Sequence, residues 1–91
     1  MSNNNPLSKT FISIGFGNII NADKVVTVMA LPGSAAAKVL AAAKEKNTAI
    51  DATAGRKTRT ILIMDNGFVV MSGINSGTIL DRLNGKEDKD E

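Results

Sequence analysis

Apolar positions change their period along this 91-residue chain, and each change predicts an element. From Thr10 to Phe16 the residues alternate as in a strand, with Ile12, Ile14 and Phe16 on one face. Gly15-Phe16-Gly17-Asn18 breaks that pattern. Two glycines there permit positive φ or close backbone approach, and a bend or bulge is expected. Ile19 and Ile20, then Val25 to Ala30, resume β-type sequence. Leu31-Pro32-Gly33-Ser34 ends the second strand and opens a helix. Residues 35–46 favour helix throughout, and Ala36, Val39, Leu40 and Ala43 fall at i, i+3, i+4 and i+7. So narrow a face, lined by small side chains, lets the helix sit close to a sheet or to a second copy of itself. Lys38 and Glu45 project away from it. Lys44 and Lys46 complement the negative end of the helix dipole, and Asn47 is the expected stop.

The second half reads as strands flanking a polar turn. Thr48 to Thr53 and Thr60 to Met64 are predicted strands, with Ala54-Gly55 the bend between them. Asn66-Gly67 lies between two apolar runs and predicts a hairpin pairing Ile61–Met64 with Phe68–Met71. Both runs are apolar at every position, which implies that both faces of the sheet are covered. One helix covers one face, so a second chain is the expected cover for the other. Asn75-Ser76 can cap a short helix through Leu83, with Ile79, Leu80 and Leu83 inward and Gly85 as the stop. The expected architecture is α+β: a small, mainly antiparallel sheet of about four or five strands, one long helix and a short C-terminal helix.

Composition narrows the chemistry. There is no cysteine, histidine, tyrosine or tryptophan, so thiolate metal sites, cysteine nucleophiles and histidine acid-base chemistry are impossible. Catalysis would rest on Asp, Glu, Lys, Ser or Thr alone. No enzyme activity, cofactor or small-molecule ligand is expected. The Gly15–Gly17 pair lacks the third glycine and the following helix of a dinucleotide fingerprint. Gly55-Arg56-Lys57-Thr58 lacks the adjacent Gly-Lys and the earlier glycine of a phosphate loop, since Ile50 stands at that earlier position. Asp51 and Asp65 bracket the basic run, but no third ligand type stands near them, and they read as strand-end turn residues.

Charge then sharpens the picture. The net +2 includes a tail, residues 86–91, with two cations and four acids; residues 1–85 hold nine cations against five acids, a net of +4. The tail is expected to be disordered and residues 1–9 flexible, leaving 10–85 as one domain. The N-terminus lacks the architecture of a secretory signal and no apolar run reaches membrane-spanning length, so a soluble, cytoplasmic protein is expected. Between Asp51 and Asp65 there is no acid, while Arg56, Lys57 and Arg59 place three cations in four positions beside Gly55. Guanidinium groups hold phosphate through paired hydrogen bonds, and Thr58 and the Gly55 amide add donors of the kind phosphates accept.

The segments 13–20 (Ser-Ile-Gly-Phe-Gly-Asn-Ile-Ile) and 50–60 (Ile-Asp-Ala-Thr-Ala-Gly-Arg-Lys-Thr-Arg-Thr), with the apolar strand ending Met64-Asp65, resemble the RemA family of bacterial extracellular-matrix regulators. The similarity runs from about residue 11 to residue 83. It implies a transcriptional regulator of biofilm and matrix genes that binds double-stranded DNA without a helix-turn-helix. It also implies a domain similar to the LytTR β-type fold, in protomers that close into a homo-oligomeric ring. The family's DNA-contacting basic residues fall on Arg56, Lys57 and Arg59, and a further one on Lys24. Lys57 and Lys24 stand where the family typically has arginine, which keeps charge and removes bidentate geometry. Ala54 replaces an aromatic residue.

Such a ring would wrap or bridge DNA through many individually weak basic tips, with preference set by DNA shape. Two other readings compete. An RNA or single-strand binder needs an aromatic stacking platform, and Phe11, Phe16 and Phe68 are the only aromatic residues, at least two of them resembling core. A structural or scaffolding oligomer could use the same basic loop on an acidic protein.

Overall fold

The computed structural model describes residues 10–85. The expectations for residues 1–9 and 86–91 lie outside the described residues. Among the described residues, six strands and two α-helices follow in the order β1 (Phe11–Gly15), β2 (Asn18–Asn21), a 3-10 turn (Ala22–Lys24), β3 (Val25–Ala30), α1 (Ser34–Glu45), β4 (Ala49–Asp51), β5 (Thr60–Met64), β6 (Val69–Ser72) and α2 (Ser76–Leu83). The fold is α+β, as the sequence implies. The described residues form six strands rather than four or five, because β1 and β2 form a separate two-stranded hairpin beside the four-stranded sheet β3-β5-β6-β4.

β3 pairs antiparallel with β5, β5 antiparallel with β6, and β4 parallel with β6. Thus α1 links the two edge strands, β3 and β4, while β5 and β6 are inserted between them. Asn66-Gly67 forms the β5–β6 turn, with Gly67 at φ +89° and the Phe68 N–H donating to Asn66 Oδ1 at 3.0 Å. At the end of α1, Asn47 takes φ +61°, the left-handed stop expected of it. Asn75 caps α2 by accepting from the Thr78 N–H at 2.9 Å, and Gly85 follows the helix at φ +81°.

The unbroken apolar runs of β5 and β6 have a physical cause, but a different one from the second chain expected. Ile61, Val69 and Met71 face α1, meeting Ala36, Leu40 and Ala43. Leu62 and Val70 face the other way, against Ile14 and Ile20 of the hairpin and Ile79 of α2. The chain's own hairpin and C-terminal helix therefore cover the second face. Burying a side chain such as Leu62 contributes about 1.5–3 kcal/mol, and truncating Ile79 to alanine would cost about 2–5 kcal/mol.

Two side chains depart from their expected places. Phe16 leaves the Ile12–Ile14 face and stands 43% exposed, because φ of +58° turns it out of the strand. Leu80 is 52% exposed: α2 has eight residues, and Ile79 with Leu83 already fills its inward line. Phe11 is exposed as well. The apolar surface left over lies at both edges of the sheet. Beside β4, Ile19 and Ile50 rim a groove of about 580 Å³ floored by Met64, Phe68 and Val70. Beside β3, Leu80 borders a recess with Val28 and Ala30. Among the described residues, no helix is long and apolar enough to cross a membrane.

Candidate nucleic-acid interface

The sheet order dictates where the basic run must lie. The chain leaves β4 at Asp51 and re-enters at Thr60 of β5, so residues 52–59 step over the end of β6, which lies between them. Main-chain bonds tie this bridge down. The Ala52 N–H donates to Met71 O at 2.9 Å, the Arg59 N–H to Ser72 O at 2.9 Å, and the Leu31 N–H to Arg59 O at 2.9 Å. The backbone of Arg59 is thus held by β6 on one side and by the end of β3 on the other, while its side chain is exposed.

The bend is made where the sequence places it. Ala54 and Gly55 take φ of +54° and +82°, and the Arg56 N–H closes the turn on Thr53 O at 3.0 Å. Left-handed backbone costs a non-glycine residue roughly 1–2 kcal/mol, so the loop stores strain at Ala54. Asp51 offsets part of that cost: its Oδ1 accepts from the Thr53 hydroxyl at 2.6 Å and from the Thr53 N–H at 2.9 Å. Those two bonds, the hydroxyl first, with Lys44 nearby, hold the Asp51 carboxyl below its ordinary value of 3.8 against a small desolvation effect. Asp51 is therefore a turn residue with its acceptor occupied. Among the described residues no cluster of acidic side chains is arranged to hold a metal.

Arg56, Lys57 and Arg59 emerge exposed from this bridge, with Thr58 half-buried among them. None of the three cations is ion-paired to an acid among the described residues, whereas Lys24 pairs with Asp65 at 3.7 Å. Lys24 immediately precedes Val25, which pairs with Met64, whereas Arg59 precedes Thr60, which pairs with Ala30. Asp65, whose N–H donates to Lys24 O at 2.8 Å, is six residues along the chain from Arg59, so roughly 20 Å separates Lys24 from Arg59 at about 3.3 Å per residue. The structure brings Arg56, Lys57, Thr58 and Arg59 to one end of the sheet and Lys24 to the other.

A second turn stands beside the loop, a neighbour that the sequence pattern does not predict. Gly15, Phe16 and Gly17 all take positive φ, at +101°, +58° and +85°. Asn18 fastens this turn to the loop's base by donating from Nδ2 to Gly15 O at 3.1 Å and to Ala52 O at 3.3 Å. The Phe16 ring lies beneath Arg56, whose guanidinium carbon is 4.4 Å from the ring centroid. Gly73 lies beside both residues: a methyl there would meet Arg56 Cβ and Phe16 Cε2 at 3.4 Å, ordinary contact distance. An aromatic residue flanked by two glycines is the available signal; alternation of apolar residues alone assigns it to the core.

The chain matches the model of RemA-like proteins, described as extracellular matrix regulatory protein A-like, over residues 11–83. Relatives from Bacillus cytotoxicus, Bacillus mycoides and Bacillus cereus, each carrying the name "Putative regulatory protein", are 40% identical over 85 residues, covering 93% of this chain and 98% of theirs. The matched span takes in both turns, the basic loop and every strand and helix described above, and the chain belongs to the RemA-like family.

Proposed function

We propose that this chain is an oligomeric transcriptional regulator of the biofilm and extracellular-matrix type, which wraps or bridges duplex DNA through a basic loop repeated in every copy. The observation that carries the reading is the set of three exposed cations, Arg56, Lys57 and Arg59, without an acidic partner among the described residues, on a loop whose backbone is braced from both sides. Bracing lowers the ordering cost of binding, and donors without an acidic partner are free for phosphate. Lys24, roughly 20 Å away along β5, would meet a phosphate separate from those held by the loop. Three or four phosphate contacts from one copy bind weakly and fade with salt, and repetition around an oligomer multiplies them.

Two unlike apolar lips favour assembly. Ile19 and Ile50 rim the groove beside β4, and Leu80 projects beside β3, at the opposite edge of the same sheet. Unlike surfaces at opposite edges suit head-to-tail association, which closes into a ring when the rotation permits. A single-strand binder is the second reading, because exposed Phe16 offers a platform that core packing would have denied. Arg56 already covers one face of that ring, however, and stacking binders present successive aromatic residues.

A shift assay with long duplex, short duplex and single-stranded competitor tests the DNA half: at about 50 mM salt the long duplex should bind far more tightly than the short one. No shift of either duplex, or complete competition by single strand, would sink it. Light scattering tests the assembly half. Wild type should exceed 9.5 kDa, while Ile50→Glu and Leu80→Glu should each dissociate. Mixed together, those two variants should stop at a dimer, since each keeps the lip the other lacks. A monomeric wild type, or a mixture that behaves as its components do alone, rejects head-to-tail assembly.

A further inference from the structure

We infer that Phe16 is a positioning residue for the basic loop: its ring holds the Arg56 guanidinium by the face and aims the N–H edge outward toward a phosphate. The inference rests on the DNA-binding reading above and adds a residue outside the basic loop to it. Three observations converge on Phe16. Its ring is 4.4 Å from the Arg56 guanidinium carbon, it remains 43% exposed, and it takes φ of +58° between two glycines that are themselves left-handed.

That backbone conformation is unfavourable for a bulky side chain, and strain of this kind persists only where the surroundings fix it. Here the surroundings are visible. Asn18 ties the turn to Ala52, and Ser72 Oγ donates to Ile14 O at 2.8 Å just ahead of the turn. Gly73 packs beside the Phe16 ring and the Arg56 Cβ. Phe16 belongs to neither of the two buried clusters, so core packing does not account for the strain.

Guanidinium chemistry explains what the stack achieves. Attraction to an aromatic ring uses the flat face of the cation, while all five N–H donors lie in its plane and point from its edge. The stack therefore restricts Arg56 without consuming the donors that a phosphate needs. Arginine loses substantial rotamer freedom when immobilised, and a side chain already held loses less on binding. Lys57 and Arg59 have no such aromatic support among the described residues. Arg56 is accordingly the pre-aimed cation of the three, and the β1–β2 turn is part of the interface.

The experiment uses the full-length chain, a short duplex that engages single tips, and two variants of Phe16. Phe16→Asn accepts left-handed φ readily, so it removes the ring and relieves the strain together. Its thermal stability should equal or exceed wild type while its affinity falls roughly three- to tenfold. Phe16→Tyr keeps the ring and should bind as wild type does. The slope of log affinity against log salt should stay unchanged in both, because no cation is removed. Arg56→Ala, by comparison, should make it shallower by roughly 0.9 for each phosphate that is no longer neutralised. Finally, Phe16→Asn should cost nothing further when placed on Arg56→Ala, since the ring then has nothing to aim. Wild-type affinity in Phe16→Asn, or equal losses with and without Arg56, overturns the platform and leaves the DNA reading intact. No duplex binding by wild type itself overturns both.

Discussion

The two ends of the four-stranded sheet hold cations of the same chemical kind in opposite circumstances. At one end a loop that must bridge over β6 presents Arg56, Lys57 and Arg59 with no acid among the described residues paired to them. At the other, Lys24 meets Asp65 at 3.7 Å, and the Asp65 N–H also donates to Lys24 O at 2.8 Å. The second arrangement is the ordinary fate of a surface lysine: an exposed ion pair worth about 0–1 kcal/mol, closing a strand junction. The first leaves charge uncompensated on backbone fixed at several points. Counting basic residues would rank the ends by number alone. Their partners separate a surface whose charge is matched from one whose charge has no acidic partner among the described residues.

The strongest way to break that contrast is to remove the uncompensated charge. Arg56→Ala with Arg59→Ala takes two cations from every copy and leaves β5 and its packing untouched. Long-duplex affinity should fall by well over the tenfold that a single interaction of about 1.4 kcal/mol represents, because each copy's deficit is repeated across the assembly. The salt slope should flatten in step. Circular dichroism and light scattering should match wild type. A double variant that shifts duplex as wild type does, with the same slope, would remove the basic loop from the interface.

The opposite end sharpens the contrast with smaller effects of either sign. Lys24→Ala should weaken duplex binding by about two- to fivefold, less than either loop arginine, since a flexible, ion-paired lysine contributes a single screened interaction. Asp65→Asn should instead strengthen binding by about twofold at low salt, by releasing Lys24 from its partner and removing one negative charge, and the gain should vanish near 1 M salt. If Lys24→Ala matched the loop variants in size, the two ends would form one continuous path and the distinction between them would be false.

Much of this contrast is legible in the sequence. Asn66-Gly67 between apolar runs marks the β5–β6 hairpin, the Ala36–Val39–Leu40–Ala43 spacing marks the buried side of α1, and the acid-free interval from Asp51 to Asp65 marks the basic loop. Less is legible where one pattern admits several physical causes. Unbroken apolar strands report that both faces are covered and say nothing of the cover, so they do not single out the β1–β2 hairpin and α2 for that role. Alternation is also blind to φ. It places Phe16 beside Ile14, although the flanking glycines reverse the chain there. The separation of Lys24 from Arg56 depends on strand register, which no local pattern contains. The same holds for the Phe16–Arg56 stack, which joins residues that only the completed sheet brings together.

The smallest expected effect concerns the anchor beneath the loop. Asp51 receives the Thr53 hydroxyl and N–H, and these bonds favour its ionised form. Its folded pKa is depressed, so its stabilising contribution is fully present above the unfolded value and is lost as pH falls through the folded one. Acidification below about 4 should therefore loosen the Asp51–Thr53 turn before it affects the buried strands, given ordinary aspartate values near 3.9. Amide exchange at Thr53 and Arg56 should quicken relative to Leu62 over that range. Asp51→Asn keeps an oxygen acceptor but no charge, and its exchange at those two amides should be nearly independent of pH once intrinsic rates are divided out. Because Asp51 lies at the surface, the change in global stability should be slight and the change in loop protection the more sensitive measure. Identical pH profiles for wild type and Asp51→Asn would show that the main-chain bonds to Met71 and Ser72 hold the loop without the carboxylate.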